Sequence, residues 1–213
     1  KELAAHLEDL VTKDGFEFYV LADGSSQQEY MPVGVAFGTT DGKTSYVPID
    51  NDVLLAQGLT LGTFKEIFGR VLEHKKPIKC GYDTKYMKHV FANVGINLAG
   101  VSDDVMLESY VLEAHRSHTI EKLAANWLKY ELRGEEELLG KGAKKLSFSQ
   151  VSVEKAAEFA SERVFIVSRL NRLFKKALSD DAKLEKIYRD IEMPLSDVLF
   201  KMEQNGVLID TKL

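Results

Sequence analysis

The side chains of this sequence that could do chemistry are its acids, and what matters is whether any of them gather. Glu17, Asp23, Asp83, Asp104 and Glu162 stand beside apolar runs, where several carboxylates together would hold divalent cations. Glu17 shares a strand face with Tyr19 and Leu21, because strand side chains alternate with period two, but it sits about 6–7 Å further back. Asp83 and Asp104 read as helix caps, and Glu162 points about 100° around its helix from Arg163. His6, His74, His89, His115 and His118 lack ligand spacing relative to one another or to Cys80. His115-x-x-His118 falls in a turn between helices and reads as solvated surface sooner than as a zinc pair. Gly140-Lys141-Gly142 lacks the frame of a phosphate-cradling loop and reads as a flexible connection. Lys141, Lys144 and Lys145 leave two readings open, contacts to a phosphate backbone or solvated cations, and the acidic total favours the second. Trp127 and Phe148 read as core or loop anchors rather than base-stacking platforms.

The elements that must position these groups follow from periodicity. Gly15 to Asp23 alternates aromatic and β-favouring residues, so it predicts a strand ending in the turn Asp23-Gly24-Ser25-Ser26. Strands from Met31 to Gly38 and Thr44 to Ile49 follow, joined by the hairpin signal Thr40-Asp41-Gly42-Lys43. A helix over residues 1–12 is expected to cover one sheet edge. Further helices are predicted from Gly62 to His74 and from about Asp83 to Asn93, with a short buried strand at Pro77-Ile78-Lys79-Cys80 between them. Asp103-Asp104 opens another helix, and Thr119 begins one that continues through Trp127 and Leu128. Lys129 to Val151 is a long polar connection. A long helix then runs from Ser152 to about Leu178, with Phe159, Phe165, Ile166, Leu170 and Leu173 as its apolar stripe. After the break at Ser179-Asp180-Asp181, helical spacing resumes from Ala182 to Gln204, interrupted by Pro194, and stops at Asn205-Gly206.

With 213 residues, 45% of them apolar, the chain can bury a sizeable core. A net charge of −5 gives no global attraction for nucleic acid, so DNA contact requires a local basic patch or an attached domain. The single cysteine, Cys80, excludes an intramolecular disulfide and fits a reducing cytoplasm. No apolar run approaches the roughly 20 residues of a membrane-spanning helix. The start at Lys1 and the end at Leu213 read as those of a piece excised from a longer polypeptide.

Five runs in order carry a family resemblance. They are Asp104-Val105-Met106-Leu107-Glu108-Ser109-Tyr110-Val111-Leu112, Leu123-Ala124-Ala125-Asn126-Trp127-Leu128, Gly140-Lys141-Gly142, Ile191-Glu192-Met193-Pro194-Leu195, and Met202 through Asp210. Their order and spacing resemble bacterial DNA polymerase I over nearly the whole chain. The resemblance implies an RNase H-like (DnaQ-like) α/β exonuclease fold, a mixed sheet flanked by helices, over residues 1–178. Residues 182–213 would then be the truncated first helix leading into the polymerase domain.

Active members of that family cleave a frayed 3′ end with two divalent metals about 3.5–4 Å apart, held by acids in three motifs. These are Asp-x-Glu on the first strand, an Asp ending Asn-x-x-Tyr-Asp, and Tyr-x-x-x-Asp on a later helix. Carried over residue by residue, the first pair becomes Tyr19 and Leu21, the second Asp becomes Met87, and the third motif becomes Phe159 and Arg163. Every metal-binding acid is absent and one is replaced by a cation, which opposes metal binding. The resemblance therefore implies a degenerate proofreading domain with no metal of its own that packs against the polymerase domain of the same chain. The parent would be a cytoplasmic, monomeric DNA polymerase using Mg²⁺ and acting on DNA. Two alternatives stay open: residual metal-dependent 3′–5′ exonuclease activity through displaced acids, or non-cleaving capture of single-stranded 3′ ends. For the latter, Arg163, Lys141, Lys144 and Lys145 are the candidate DNA contacts.

Overall fold

The computed structural model describes residues 15–38, 42–49 and 58–208. The expected helix over residues 1–12 and the hairpin tip at Thr40-Asp41 lie outside these residues. Strand β1, Gly15–Asp23, is the centre of a five-stranded sheet of order β3-β2-β1-β4-β5. Strands β2, Met31–Gly38, and β3, Thr44–Pro48, form an antiparallel meander on one side of it. On the other side β4, Ile78–Gly81, and β5, Val101–Asp104, run parallel to β1.

Both faces of β1 are covered, so its sequence is nearly continuously apolar rather than half polar. Phe16, Phe18, Val20 and Ala22 point to one side. There they meet Phe64, Phe68 and Leu72 of α1, Leu61–Glu73, and Met87, Val90 and Phe91 of α2, Thr84–Asn93. Leu21, on the other face, packs with Phe159, Ala160 and Val164 of the long helix α6, Val153–Ser179. Gly34 of β2 is required by close approach, since a Cβ there would collide with the Tyr46 ring of β3.

The caps follow the sequence. Asp83 starts α2 by accepting from the Tyr86 N–H at 3.2 Å, and Ser152 starts α6 by accepting from Lys155 N–H at 3.5 Å. Two expectations are corrected. Asp104 opens a helix as its N-cap, as expected, α3 being Val105–Leu112, but Asp103 and Asp104 also end a strand, β5, that the sequence did not predict. Four residues with two acids carry little strand signal, and β5 owes its existence to parallel pairing with β4. On α6, Phe159, Ile166 and Leu170 are buried, but Phe165 and Leu173 are 42% and 40% exposed, so the apolar stripe is narrower than expected.

Helix α4, Ile120–Leu123, widens into a π-helical turn at Ala124–Leu128, whose Trp127 packs edge-on against Phe174 at 5.0 Å. The connection after it holds α5, Glu135–Leu139, and short 3₁₀ turns, anchored by buried Leu139, Phe148 and Val151. Beyond Asp181 the chain forms α7, Ala182–Ile187, a π-helical turn, and α8, Met193–Asn205. This helical run is clamped to the sheet-bearing fold. The buried Tyr188 hydroxyl accepts from the Asp104 N–H at 2.9 Å, and Arg189 pairs with Asp103 at 2.8 Å. Glu203 meets both Lys85 at 2.6 Å and His89 at 2.7 Å on α2.

Candidate functional site

The positions that sequence comparison singles out converge on the α6 face of β1. Tyr19 and Leu21 are two residues apart on the strand and share that face. Phe159 and Arg163 are four apart on α6, so they lie one above the other on the side facing the sheet. Leu21 and Phe159 belong to one apolar cluster with Phe148, Ala156 and Ala160. Half-buried Tyr19 packs against all three core clusters of the domain, so its ring fills the junction between them. Met87 is the exception: it sits in the core on the opposite face of the sheet, where its sulfur would lie 3.1 Å from a Cβ at Gly81.

Arg163 is 0% exposed. Its Nη2 donates to Glu121 Oε1 at 3.1 Å and to the Arg133 carbonyl at 2.8 Å, and its Nη1 donates to the Phe159 carbonyl at 3.4 Å. The guanidinium carbon lies 3.3 Å from the Phe159 ring centroid and 5.9 Å from that of Tyr19. Burial pushes the Tyr19 hydroxyl up to about 12, with the Arg163 charge partly offsetting it. The expectation that Arg163 faces a phosphate in an open cleft is therefore corrected: the side chain has no exposed surface and its charge is already partnered. Glu121 and Arg133 were invisible as partners in the sequence; the one available signal was that a buried arginine requires an acid somewhere.

None of the displaced acids joins this group. Asp23 accepts from the Phe148 and Ser149 N–H groups at 2.7 and 3.0 Å and so pins the loop before α6. Asp104 accepts from Thr84 N–H at 2.6 Å, Thr84 Oγ1 at 2.7 Å and Met106 N–H at 2.9 Å, capping two helix starts at once. Glu162 accepts from the Tyr130 hydroxyl at 2.6 Å, and Glu17 is buried further back along β1. Among the described residues no three of His, Cys, Asp or Glu come together as a metal-binding group. A two-metal centre needs several converging carboxylates, and Tyr19, Leu21, Met87 and Arg163 supply none, so these residues do not fit one. Of the lysines, Lys141 is exposed and pairs with Glu136 at 2.6 Å, while Lys144 and Lys145 are exposed on the following turn. His118 meets Ser109 Oγ at 3.0 Å rather than a second histidine.

Strand order, the parallel β1-β4-β5 half and the helix across the site define an RNase H-like α/β domain of the exonuclease kind. The family model for the DNA polymerase I ribonuclease H-like domain matches residues 32–170, and the chain belongs to the DNA polymerase I family. A DNA polymerase I from Pseudomonas aeruginosa is 35% identical over 190 residues, covering 87% of this chain and 21% of that protein. Another, from Synechocystis, is 28% identical over 221 residues, covering 98% and 22%. The chain thus spans about a fifth of the length of these relatives. Among solved structures, the POL domain of Pol1 from M. smegmatis, in complex with DNA primer-template and dNTP, matches with a TM-score of 0.76 at 23% identity. That match covers 98% of this chain and 32% of the other. Brucella melitensis NrnC with bound Mg²⁺ shares the fold with a TM-score of 0.65 at 12% identity, covering 95% and 93%.

Proposed function

We propose that this region is an exonuclease-like domain without nuclease activity, retained as a structural platform for the polymerase part of its chain. One observation carries the reading: all four positions matching the family's metal acids hold non-acidic side chains, Leu21 and Met87 in the core, Tyr19 half-buried against it, and Arg163 buried and hydrogen-bonded. Filling the cleft with Tyr19, Leu21 and Phe159 replaces a site for desolvated metal charge with ordinary packing.

The platform role draws support from the C-terminal helices. Ile187, Ile191, Leu195, Val198 and Met202 are exposed and recur at helical spacing along one stripe, a surface suited to the polymerase domain. An adjoining face of the same helices is clamped to the domain through Tyr188, Arg189 and Glu203. On this reading Mg²⁺ serves the parent polymerase rather than this region, DNA is met through the parent enzyme, and the working form is a cytoplasmic monomer. No helix among the described residues is long and apolar enough to cross a membrane.

The test is incubation of the purified chain with end-labelled single-stranded DNA and Mg²⁺ or Mn²⁺. No shortening above a metal-free control is expected. Metal-dependent stepwise loss from the 3′ end would sink the proposal. A parallel sample carrying Asp23→Ala and Glu162→Ala would separate migrated acids from a contaminating nuclease.

A further inference from the structure

Helix α6 segregates its charges. Its first turns carry Glu154, Glu158 and Glu162, whereas from Arg163 to Lys176 it has five cations and no acid. A helix C-terminus favours cations, but that effect fades within the last turn and does not account for Arg169 and Arg172. Ser168, Arg172, Lys175 and Ser179 recur at spacings of four, three and four, so they share one edge of the helix. Three hollows follow one another along that edge. The first, about 130 Å³, is bordered by Arg169 and Arg172, the second, about 270 Å³, by Arg172 and Lys175, and the third, about 400 Å³, by Lys175, Lys176 and Arg189. Arg172 is common to the first two and Lys175 to the last two, so they form one groove walled by cations.

The acids along the groove do not cancel this charge. Asp103 is buried and shared by Lys175 at 2.7 Å and Arg189 at 2.8 Å, Glu17 beside the first two hollows is buried, and Glu185 borders only the third. Arg172 and Lys43 already have partners and count only as wall. Arg169 and Lys176 are exposed and, among the described residues, paired with no acid. Seven residues separate them, about 10 Å along the helix. Phe165, one turn before Arg169, is exposed too, with the Arg169 guanidinium 5.0 Å from its ring centroid. A row of cations matches a phosphate backbone, and an exposed ring beside it offers a stacking face to an unpaired base.

We infer that this groove holds a single strand of nucleic acid by its phosphates, with Phe165 stacking on one base. A net charge of −5 gives the chain no general attraction for nucleic acid, and the groove is the local basic patch that such a chain requires. An acidic protein segment would meet the same cations but brings no flat group to the Phe165 ring. None of Tyr19, Leu21, Phe159 or Arg163 borders the groove. A strand is therefore held along its length, its 3′ end taking no part, and the site stands or falls separately from the loss of nuclease activity.

The experiment follows the fluorescence anisotropy of a 5′-labelled strand of about twelve thymidines, its 3′ end blocked by phosphate, as the 213-residue chain is added with EDTA present. A Kd between about 1 and 100 µM is expected at about 50 mM salt. The plot of log Kd against log salt should rise with a slope of about 2, for three phosphates at about 0.7 each. Arg169→Glu combined with Lys176→Glu should weaken binding at least about tenfold and flatten the slope by about one. Arg169→Gln with Lys176→Gln is the milder pair should the reversal unfold the helix. Phe165→Ala should weaken the strand about fivefold but leave inorganic polyphosphate of equal length unchanged, because only the strand has a base to stack. Four outcomes would each overturn the inference: no binding, affinity unmoved by both cation pairs or by Phe165→Ala, a requirement for a free 3′ end, or poly-glutamate of equal length binding as tightly as the strand.

Discussion

Arg163 and Glu108 are both fully buried ionisable side chains, and the protein treats them in opposite ways. Around Arg163 the fold supplies a carboxylate and two carbonyls, leaving only its Nε without a partner. Neither oxygen of Glu108, on α3, has any hydrogen-bond partner. The difference follows from the chemistry of the two groups. A guanidinium cannot shed its proton, so burying one requires acceptors to be built around it. A carboxyl escapes the cost of burial by taking up a proton, and burial with help from the Asp103 charge pushes Glu108 up to about 9, against the opposing Lys175 charge. Arg163 is therefore a built structural element, and Glu108 is a neutral acid stored inside the fold.

Breaking the first side of this contrast gives the largest expected loss. Arg163→Ala strips Glu121 of its buried partner and leaves a cavity between Phe159 and Tyr19, with an expected loss of about 3–5 kcal/mol in urea unfolding. Glu121 is partly exposed, so the lower end of that range is favoured. Arg163→Met, which refills the volume, should recover much of the loss. A loss under about 1 kcal/mol for the alanine variant would mean that Arg163 is not the anchor of the site.

Glu108→Gln tests the other side. The folded value lies above the unfolded one, near 4.5 in the ordinary range, so the native state binds the extra proton between them. Stability is then greatest below about pH 4.5, falls as pH rises from there toward the folded value, and levels off above about 9. Glutamine stays neutral throughout and should remove that slope, stabilising the domain by about 3–5 kcal/mol at pH 8 and hardly at all at pH 4. Parallel pH profiles of the urea midpoint would check it. Asp103, Lys175, Arg189 and Tyr188 face the same spot, and an unchanged slope would mean that Glu108 is not the group behind it.

Asp23→Ala is expected to cost about 1–2 kcal/mol, because it frees the N–H groups of Phe148 and Ser149. Hydrogen exchange should accelerate at these two amides before anywhere else. Unchanged exchange there would leave Asp23 available for other chemistry and weaken the case for a closed site.

Much of this was legible in the sequence because local rules wrote it. The β1 alternation, the Asp83 and Ser152 caps and the long α6 periodicity all survive in the structure. The substitutions at Tyr19, Leu21, Phe159 and Arg163 could be read from motif positions alone, and the structure brings these four together. What was hidden depends on distance in space. Strand β5 exists through pairing with β4, the partners of Arg163 come from 42 and 30 residues away, and Glu203 reaches His89 across 114 positions. Periodicity reports burial, but it carries no record of which charge meets which. For the same reason the buried Arg163 could be mistaken for a cation open to phosphate.

The smallest expected effect is the sharpest test of whether the Tyr19 position retains any chemistry. Tyr19→Phe removes a hydroxyl that burial holds at about 12, so it is neutral at any working pH and lies beside the Arg163 charge. If Tyr19 serves only as filling, the ring does nearly all of its work, and the loss should stay within about 1 kcal/mol. Thermal unfolding would resolve that, run beside the single-strand degradation assay in Mn²⁺. A neutral stability change with an unchanged blank assay would fit a site converted to packing. A loss approaching that of Arg163→Ala would instead mean that the hydroxyl and the guanidinium act as one polar unit. The contrast between a partnered arginine and an unpartnered acid would then have to be redrawn with Tyr19 on the arginine's side.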